Sequence, residues 1–286
     1  MQPGLRARDA ARRATRELQE AGVPEPGASA EILISELLGV RRGEISLYEP
    51  PLDDEQARLY GAWIERRSNR EPVQRILGRA YFRNLVLDLN EETLIPRPAT
   101  ESVAGAAIEI IDRRGGGGVV LDVGTGSGAV AISIAQERPS ATVHATDLSK
   151  KALEAAERNA GENSAAVHFH HADLFDGLAI LEGAVDLLVS NPPYVEAGAL
   201  EKLAPEVRDW DPRWALDGGP DGLLFYRRIF EEAPPLLKDG ADVVLEVGDG
   251  QGESVLDLGQ DAGFVPLGLR EDLAGSPRTA LLRWDG

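Results

Sequence analysis

The sequence predicts an α/β protein: a doubly wound, mostly parallel, seven-stranded sheet with a small helical domain ahead of it. Three observations predict it. From residue 118 onward, short apolar runs alternate with helical patterns, the rhythm of βαβ units whose parallel strands are covered on both faces. The first of these units turns through Gly124-Thr125-Gly126-Ser127-Gly128. Residues 1–75 contain no such alternation and instead space their apolar residues at helical intervals. The expected organisation is a helical domain at 1–75, a hairpin and linker at 76–98, and the α/β domain at 99–286.

Taken in order, residues 6–21 read as an amphipathic helix with Ala10, Ala14 and Leu18 inward, stopped by Pro24 and Pro26. A second helix over 28–38 ends at Gly39, and Pro50 and Pro51 mark a break. Asp53 or Asp54 caps a third helix through Arg67, with Ala57, Tyr60, Trp63 and Ile64 inward. Residues 80–95 read as a hairpin with Tyr81, Leu85 and Leu87 on its apolar face and Arg83-Asn84 near the turn. Leu94-Ile95-Pro96-Arg97-Pro98 is stiffened by two prolines, a helix follows over 100–113, and Gly115–Gly118 reads as a hinge. Strands are expected at 119–123, 141–146, 165–170, 184–190, 242–247, 264–269 and 279–284, with helices at 127–138, 150–159, 221–232 and 251–262. The last two strands are too closely joined for a crossover helix, so one of them runs antiparallel.

Composition narrows the function. The chain has 286 residues, 43% hydrophobic and 27% charged, as in an ordinary globular protein. Thirty Lys and Arg stand against 48 Asp and Glu, a net charge of -18. Such a surface is a poor generic partner for phosphate backbones or anionic lipid, so neither direct nucleic-acid binding nor membrane association is expected. The scarcity of lysine among so many acids suits a saline host, although an Arg-rich genome produces part of the same pattern. With no cysteine, disulfides, thiolate metal sites and cysteine nucleophiles are excluded. No apolar run approaches the ~20 residues of a membrane span, and the Arg- and Ala-rich start lacks a secretory core. A cytoplasmic protein is expected.

The glycine loop marks a ligand site. Gly124, Gly126 and Gly128 allow sharp turns and admit a ligand where a Cβ would clash. Asp147, at the end of the next strand, can accept from both hydroxyls of a ribose. Asp173, ending the third strand, can take an adenine amino group, with Leu174 and Phe175 flanking the ring. The loop leaves two cofactors open: Gly124, Gly126 and Ala129 fit the dinucleotide pattern, whereas the tighter Gly124–Gly126–Gly128 spacing suits S-adenosylmethionine, which has no pyrophosphate.

Asn191-Pro192-Pro193-Tyr194 follows a buried strand and so sits at the carboxyl edge of the sheet, where open α/β folds bind ligands. The Asn191 amide oxygen and the Pro192 carbonyl can accept from one NH₂ group, Pro193 stiffens the turn, and Tyr194 offers a flat face to a planar amide or base. Amide and aniline nitrogens are weak nucleophiles because the lone pair is delocalised. Two acceptors on the hydrogens raise electron density on nitrogen. A sulfonium methyl donor leaves as a neutral thioether, so positioning and desolvation are the main tasks and no dedicated base is required.

With these motifs the chain resembles the amino-methyltransferases that use S-adenosylmethionine, and among them the peptide chain release factor N5-glutamine methyltransferases. The narrower resemblance lies in Leu94-Ile95-Pro96-Arg97-Pro98-Ala99-Thr100-Glu101, Asn191–Tyr194, and Ala215-Leu216-Asp217-Gly218-Gly219-Pro220-Asp221-Gly222-Leu223. It implies the Rossmann-like class I methyltransferase fold and cofactor contacts at Gly124, Thr125, Gly126, Ser127, Gly128, Asp147, Asp173, Leu174 and Asn191. It also implies that Asn191, Pro192, Pro193 and Tyr194 hold the glutamine of a Gly-Gly-Gln tip, with Asn191, Pro192 and Tyr194 catalytic and the N-terminal helices docking the release factor. Ala99 stands where the family usually has an acid, and Leu174 where some members have Trp.

The rival functions are an adenine or cytosine amino-methyltransferase using the same motif on a flipped base, an NAD-dependent dehydrogenase using the glycine loop, and a silent binding module that keeps the pocket. The net charge opposes the first, and no hydride-transfer partner is evident for the second. His168 and His170 share one strand face and His171 takes the other, so they are not read as a metal site. Glu246 reads as a pocket residue or a helix cap, Arg97 as a steadying or plain surface residue, and Trp210 and Trp214 as packing residues or the flanks of a substrate entrance.

Overall fold

The first helix forms where Ala7, Ala10, Ala11, Ala14 and Leu18 line one face, a stripe that small side chains let pack closely against its neighbours. A computed structural model describes residues 3–48 and 51–286; Pro50 lies outside the described residues. The helices are α1 (Ala7–Glu20), α2 (Pro26–Leu38), α3 (Asp54–Ser68) and α4 (Val73–Leu77). Pro26 takes the first turn of α2, where its missing N–H costs nothing. Asp53 caps α3 in a reciprocal box with Gln56. Ala57, Tyr60 and Ile64 are buried while Trp63 is half-buried. The described residues up to Gly78 form one compact unit together with Ala204–Trp210, and the rest of the chain forms a second. Within the first unit Glu206 accepts from Arg67 (3.1 Å) and twice from Arg70 (2.7 Å each). These hydrogen bonds hold its carboxyl down at about 2 against the burial that would raise it.

The second unit opens with a hairpin, β1 (Arg79–Phe82) and β2 (Leu85–Asp88). Arg83 takes the left-handed turn position at φ 51°, held by Glu101 and Glu137. The inward face is Ala80, Phe82, Leu85 and Leu87, and Tyr81 is 62% exposed, contrary to the alternation read from sequence. The turn shifts the register, so Tyr81 pairs with Val86 on the outer face. The hairpin also ends at Asp88, well short of residue 95.

Next come α5 (Pro98–Arg113), β3 (Gly118–Val123), α6 (Ala129–Glu137), β4 (Ala141–Asp147), α7 (Lys150–Glu162), β5 (Val167–His171) and β6 (Val185–Ser190). Gly115–Gly118 is no hinge between units: it is the turn from α5 into β3, closed by the Gly116 N–H on the Ile111 carbonyl. After α8 (Pro205–Arg208), which belongs to the first unit, follow α9 (Leu224–Glu232), β7 (Leu237–Glu246), α10 (Gly252–Asp261), β8 (Phe264–Glu271) and β9 (Pro277–Trp284).

Seven strands form one sheet in the order β5-β4-β3-β6-β7-β9-β8. The first five in that order are parallel, and β9 runs antiparallel to both neighbours. Along β3 the side chains alternate between two cores. Val120 joins Ile108, Ile132 and Val189 on one face, while Leu121 and Val123 join Leu188, Phe230 and Leu245 on the other. The chain leaves β3 toward β4 on one side and returns beside it as β6, so the loops after β3 and β6 diverge at a topological switch point. Gly124–Gly128, Asp147, Asp173, Asn191–Tyr194 and Glu246 all follow or end strands at this one edge.

Candidate active site

Hydrogen bonds behind the glycine loop determine its shape. Asp122, 2% exposed on β3, accepts from the Thr125 hydroxyl (2.7 Å) and the Ala131 N–H (3.1 Å) through one oxygen. Burial pushes its carboxyl up to about 7. The Gly124 and Thr125 N–H groups both donate to the Thr146 carbonyl at 2.9 Å, and Gly126 donates to Asp147 Oδ2 at 2.8 Å. The other Asp147 oxygen takes the Ser149 N–H at 2.9 Å. Burial raises the Asp147 carboxyl, and these N–H donors oppose the rise. Three of the loop's amides are thereby committed within the protein.

The three glycines serve different ends. All have positive φ (73°, 57° and 85°). A Cβ at Gly124 or Gly126 would meet nothing within 4 Å, whereas at Gly128 it would lie 2.6 Å from Ile132 Cδ1 and 3.2 Å from the Ala156 Cβ. Gly128 is required by helix packing rather than by ligand access. Asn159 on α7, fully buried, supports the loop from behind by donating to the Ser127 carbonyl at 2.8 Å. It also exchanges hydrogen bonds with the Asp88 backbone at 2.8 and 3.1 Å. Nothing in local periodicity announces that role, because Asn159 reads simply as the end of a helix.

A cleft of ≈ 890 Å³, open mouth included, runs along this edge, within the usual range for small-molecule sites. Gly124, Gly126, Asp147, Asp173, Leu174 and Phe225 line it together with Asn191, Pro192, Pro193 and Trp214. Thr125, Ser127 and Gly128 do not line it, and neither does Tyr194. Phe175 is 8% exposed in the apolar core and does not line the cleft; Phe225, a residue that sequence reasoning missed, does. Its signal was its place at the start of α9, off the face on which Tyr226, Ile229 and Phe230 are buried. Leu174 holds φ 49°, and Asp173 pairs with Arg228 at 2.9 Å.

The Asn191–Tyr194 turn is held from several sides. The Asn191 amide nitrogen donates to Thr100 Oγ1 at 3.2 Å, leaving its carbonyl oxygen as the free end of the amide. Tyr194 donates its hydroxyl to Glu246 Oε1 at 3.3 Å, and its own carbonyl accepts from Gln251 at 3.0 Å. Tyr194 therefore packs as a strut, not as an open stacking face. Burial and the nearby Glu246 raise its hydroxyl further above the usual tyrosine range. Val195 N–H donates to Leu216 O (2.9 Å) and Gly218 N–H to Val195 O (2.8 Å). A Cβ at Gly218 would come within 2.8 Å of Tyr194 Cα, and one at Gly222 within 2.5 Å of the Tyr194 carbonyl oxygen. The glycines of the Ala215–Leu223 block are what let it lie against the turn. Asp211, with a fully buried side chain, accepts from Ile95 N–H at 3.3 Å and pairs with Arg97, steadying the proline loop.

His144, His168 and His170 stack, with ring centroids 4.8 and 5.2 Å apart, and His144 and His170 share a 2.9 Å hydrogen bond. Among the described residues no group of three His, Cys, Asp or Glu is arranged to hold a metal ion.

Comparison with known proteins bears on the whole chain. A family model described as the PrmC N-terminal domain matches residues 9–78, and one described as the methyltransferase small domain matches residues 106–206. The release factor glutamine methyltransferase of Streptomyces coelicolor is 42% identical over 274 residues, covering 94% of this chain and 95% of its own. That of Cereibacter sphaeroides is 38% identical over 280 residues, covering 98% and 99%. A solved methyltransferase from Pyrococcus furiosus shares the fold, with a TM-score of 0.52 and 22% identity over 71% of this chain and 90% of that one.

Proposed function

The chain belongs to the release factor glutamine methyltransferase family, and from that premise we propose that it methylates the side-chain amide nitrogen (N5) of the glutamine in the Gly-Gly-Gln motif of class I release factors. S-adenosylmethionine supplies the electrophilic methyl carbon from its sulfonium and leaves as a neutral thioether. The observation that carries the reading is the Asn191 amide. Its nitrogen is engaged by Thr100, so its oxygen, with the Pro192 carbonyl beside it, remains to accept the two hydrogens of a substrate NH₂. Those two bonds orient the nitrogen lone pair and raise its electron density. With the cofactor bound, the amide nitrogen held by Asn191 and Pro192 would take the methyl group, the carbon–sulfur electron pair would stay with the departing thioether, and the surplus nitrogen proton would pass to water.

The chain's residues fit the cofactor. Asp147 lines the cleft with a carboxylate suited to ribose hydroxyls, Asp173 lies where an adenine amino group would be read, and Leu174 and Phe225 offer the apolar walls of an adenine slot. The engagement of the Gly124, Thr125 and Gly126 amides within the protein supports S-adenosylmethionine over a dinucleotide, whose pyrophosphate draws on free N–H donors. Gly124 and Gly126 contribute close backbone, while Thr125, Ser127 and Gly128 act by shaping the loop. Residues 1–75 serve to dock the release factor, 76–98 link, and 99–286 perform the transfer, in the cytoplasm where termination occurs. Among the described residues no helix is long and apolar enough to cross a membrane.

A methyl-transfer assay tests this. Radiolabelled S-adenosylmethionine is offered with unmodified release factor, with its Gly-Gly-Gln→Gly-Gly-Ala variant, and with bulk tRNA, rRNA and DNA. Label on the wild-type factor alone is expected; label on nucleic acid alone would move the activity to base methylation. Asn191→Ala should abolish transfer with cofactor affinity nearly unchanged, and Asp147→Ala should weaken cofactor binding about tenfold or more.

A further inference from the structure

We propose that Gln251 is a positioning residue: its amide pins the Tyr194 carbonyl and so fixes the direction in which the Asn191–Tyr194 turn presents the Pro192 carbonyl to the substrate nitrogen. This rests on the acceptor role proposed for Asn191 and Pro192. Neither Pro192 nor Pro193 has an N–H, so neither can tie down its own backbone as a donor. Their rings do fix φ at both positions, and the peptide planes are rigid. The rotations left inside the turn are ψ at the two prolines. Those rotations aim the Pro192 carbonyl, and holding both ends of the turn removes them.

The two ends are held by different parts of the chain. At the start, Ser190 donates its hydroxyl to the Val123 carbonyl at 2.7 Å, and the Asn191 amide nitrogen donates to Thr100 Oγ1 at 3.2 Å. At the far end, Gln251 Nε2 donates to the Tyr194 carbonyl at 3.0 Å. Gln251 immediately precedes α10, with its own N–H on the Gly248 carbonyl (3.1 Å) and its own carbonyl taking the Val255 N–H (3.0 Å). Its Oε1 accepts from the Gly248 N–H at 3.1 Å. One side-chain amide therefore joins the loop after β7 to the turn after β6. A flipped amide would set NH₂ against N–H and oxygen against oxygen, so only one orientation satisfies both partners.

Two glycines clear the space this amide occupies. A Cβ at Gly248 would lie 2.3 Å from Gln251 Oε1, and one at Gly222 would lie 2.4 Å from Nε2. Gly248 is not among the glycines with positive φ, so clearance rather than backbone conformation is what its missing Cβ provides. Gln251, Gly248 and Gly222 do not line the cleft. The amide thus acts on the substrate through the turn, and the cofactor contacts stay separate from it.

The experiment uses the full chain with release factor as substrate. It measures kcat, KM for the release factor, S-adenosylmethionine Kd and thermal melting, with rates taken below every melting transition. Gln251→Glu keeps the acceptor for the Gly248 N–H but turns a carboxylate oxygen onto the Tyr194 carbonyl. Gln251→Met keeps the length and loses both hydrogen bonds. Each should lower kcat about tenfold or more, with KM and the cofactor Kd within about twofold. A merely structural Gln251 would lower the melting temperature and leave kcat unchanged. Gly248→Ala should reproduce the fall in kcat by displacing the amide. Added to Gln251→Ala, whose side chain stops short of the new methyl, Gly248→Ala should cost less than about twofold further. Gln251→Met buries no charge, so it carries the test if Gln251→Glu melts early. Either Gln251→Glu or Gln251→Met within about twofold of wild-type kcat, beside an inactive Asn191→Ala, would overturn this inference alone. So would losses that multiply in the Gly248→Ala pair, or a loss registering in the cofactor Kd instead of kcat. Turnover in Asn191→Ala would overturn the acceptor role first, and this inference with it.

Discussion

Replacing Asn159 by alanine tests whether the glycine loop is held from behind. The side chain is fully buried and makes three hydrogen bonds, to Ser127 O (2.8 Å), Asp88 N (2.8 Å) and Asp88 O (3.1 Å). Each such bond contributes about 1 kcal/mol net, and a buried partner left unpaired costs more. Asp88 is exposed, so water can reach its backbone groups, whereas the Ser127 carbonyl sits behind the loop with no such recourse. The expected loss is about 3 kcal/mol. Equilibrium urea unfolding followed by far-UV circular dichroism measures it, read as a lower midpoint at unchanged slope. Asn159→Asp sharpens the test: it keeps the acceptor for Asp88 N–H but sets a carboxylate against two carbonyl oxygens, so near pH 8 it should cost at least as much as alanine. A loss under about 1 kcal/mol for alanine, or an aspartate better tolerated than alanine, would refute the reasoning.

Two further outcomes follow from the same loop. Gly128→Ala places a methyl 2.6 Å from Ile132 Cδ1 at φ 85° and should cost about 3 kcal/mol of stability, from left-handed backbone and overpacking together; Gly126→Ala, with open space around it, should cost only the backbone share of about 1–2 kcal/mol while weakening cofactor binding more, as paired melts and titrations would register. Asp122, pushed up to about 7 by burial, holds its proton in the native state between about pH 4 and pH 7 while the unfolded chain has lost it, so its contribution to stability declines as pH rises across that window and is flat above it; Asp122→Asn should remove that decline, and an unchanged pH dependence of the urea midpoint would exclude the assignment.

The elements most legible in the sequence were those whose residues make their case locally. The amphipathic stripe of α1, the cap at Asp53, the strand–glycine–helix turn at 118–137 and the antiparallel last strand all follow from spacing and steric rules acting over a few residues. The cleft was legible for a related reason: Asp147, Asp173 and Asn191 each follow a strand, and strand ends in a parallel sheet come to one edge. Tyr81 was misread because a turn of two residues decides which face an alternating pattern presents. Phe175 was misread because the backbone turns left-handed at Leu174, just where a periodic reading expects the chain to continue, and the ring is buried in the core.

By itself, the sequence determined the βαβ order, the glycine turn, the acids at strand ends and the Asn191–Tyr194 motif, because dihedral preferences and hydrophobic periodicity operate between near neighbours. Tertiary structure alone decided which of those groups remain available. It committed the loop's N–H groups to Thr146 and Asp147, used Gly128 for packing and Tyr194 as a strut, and set Thr100 against Asn191, 91 residues apart, and Glu246 against Tyr194, 52 residues apart. A hydrogen bond of that range depends on strand order and crossover direction. Those are properties of the whole sheet, and no local window contains them.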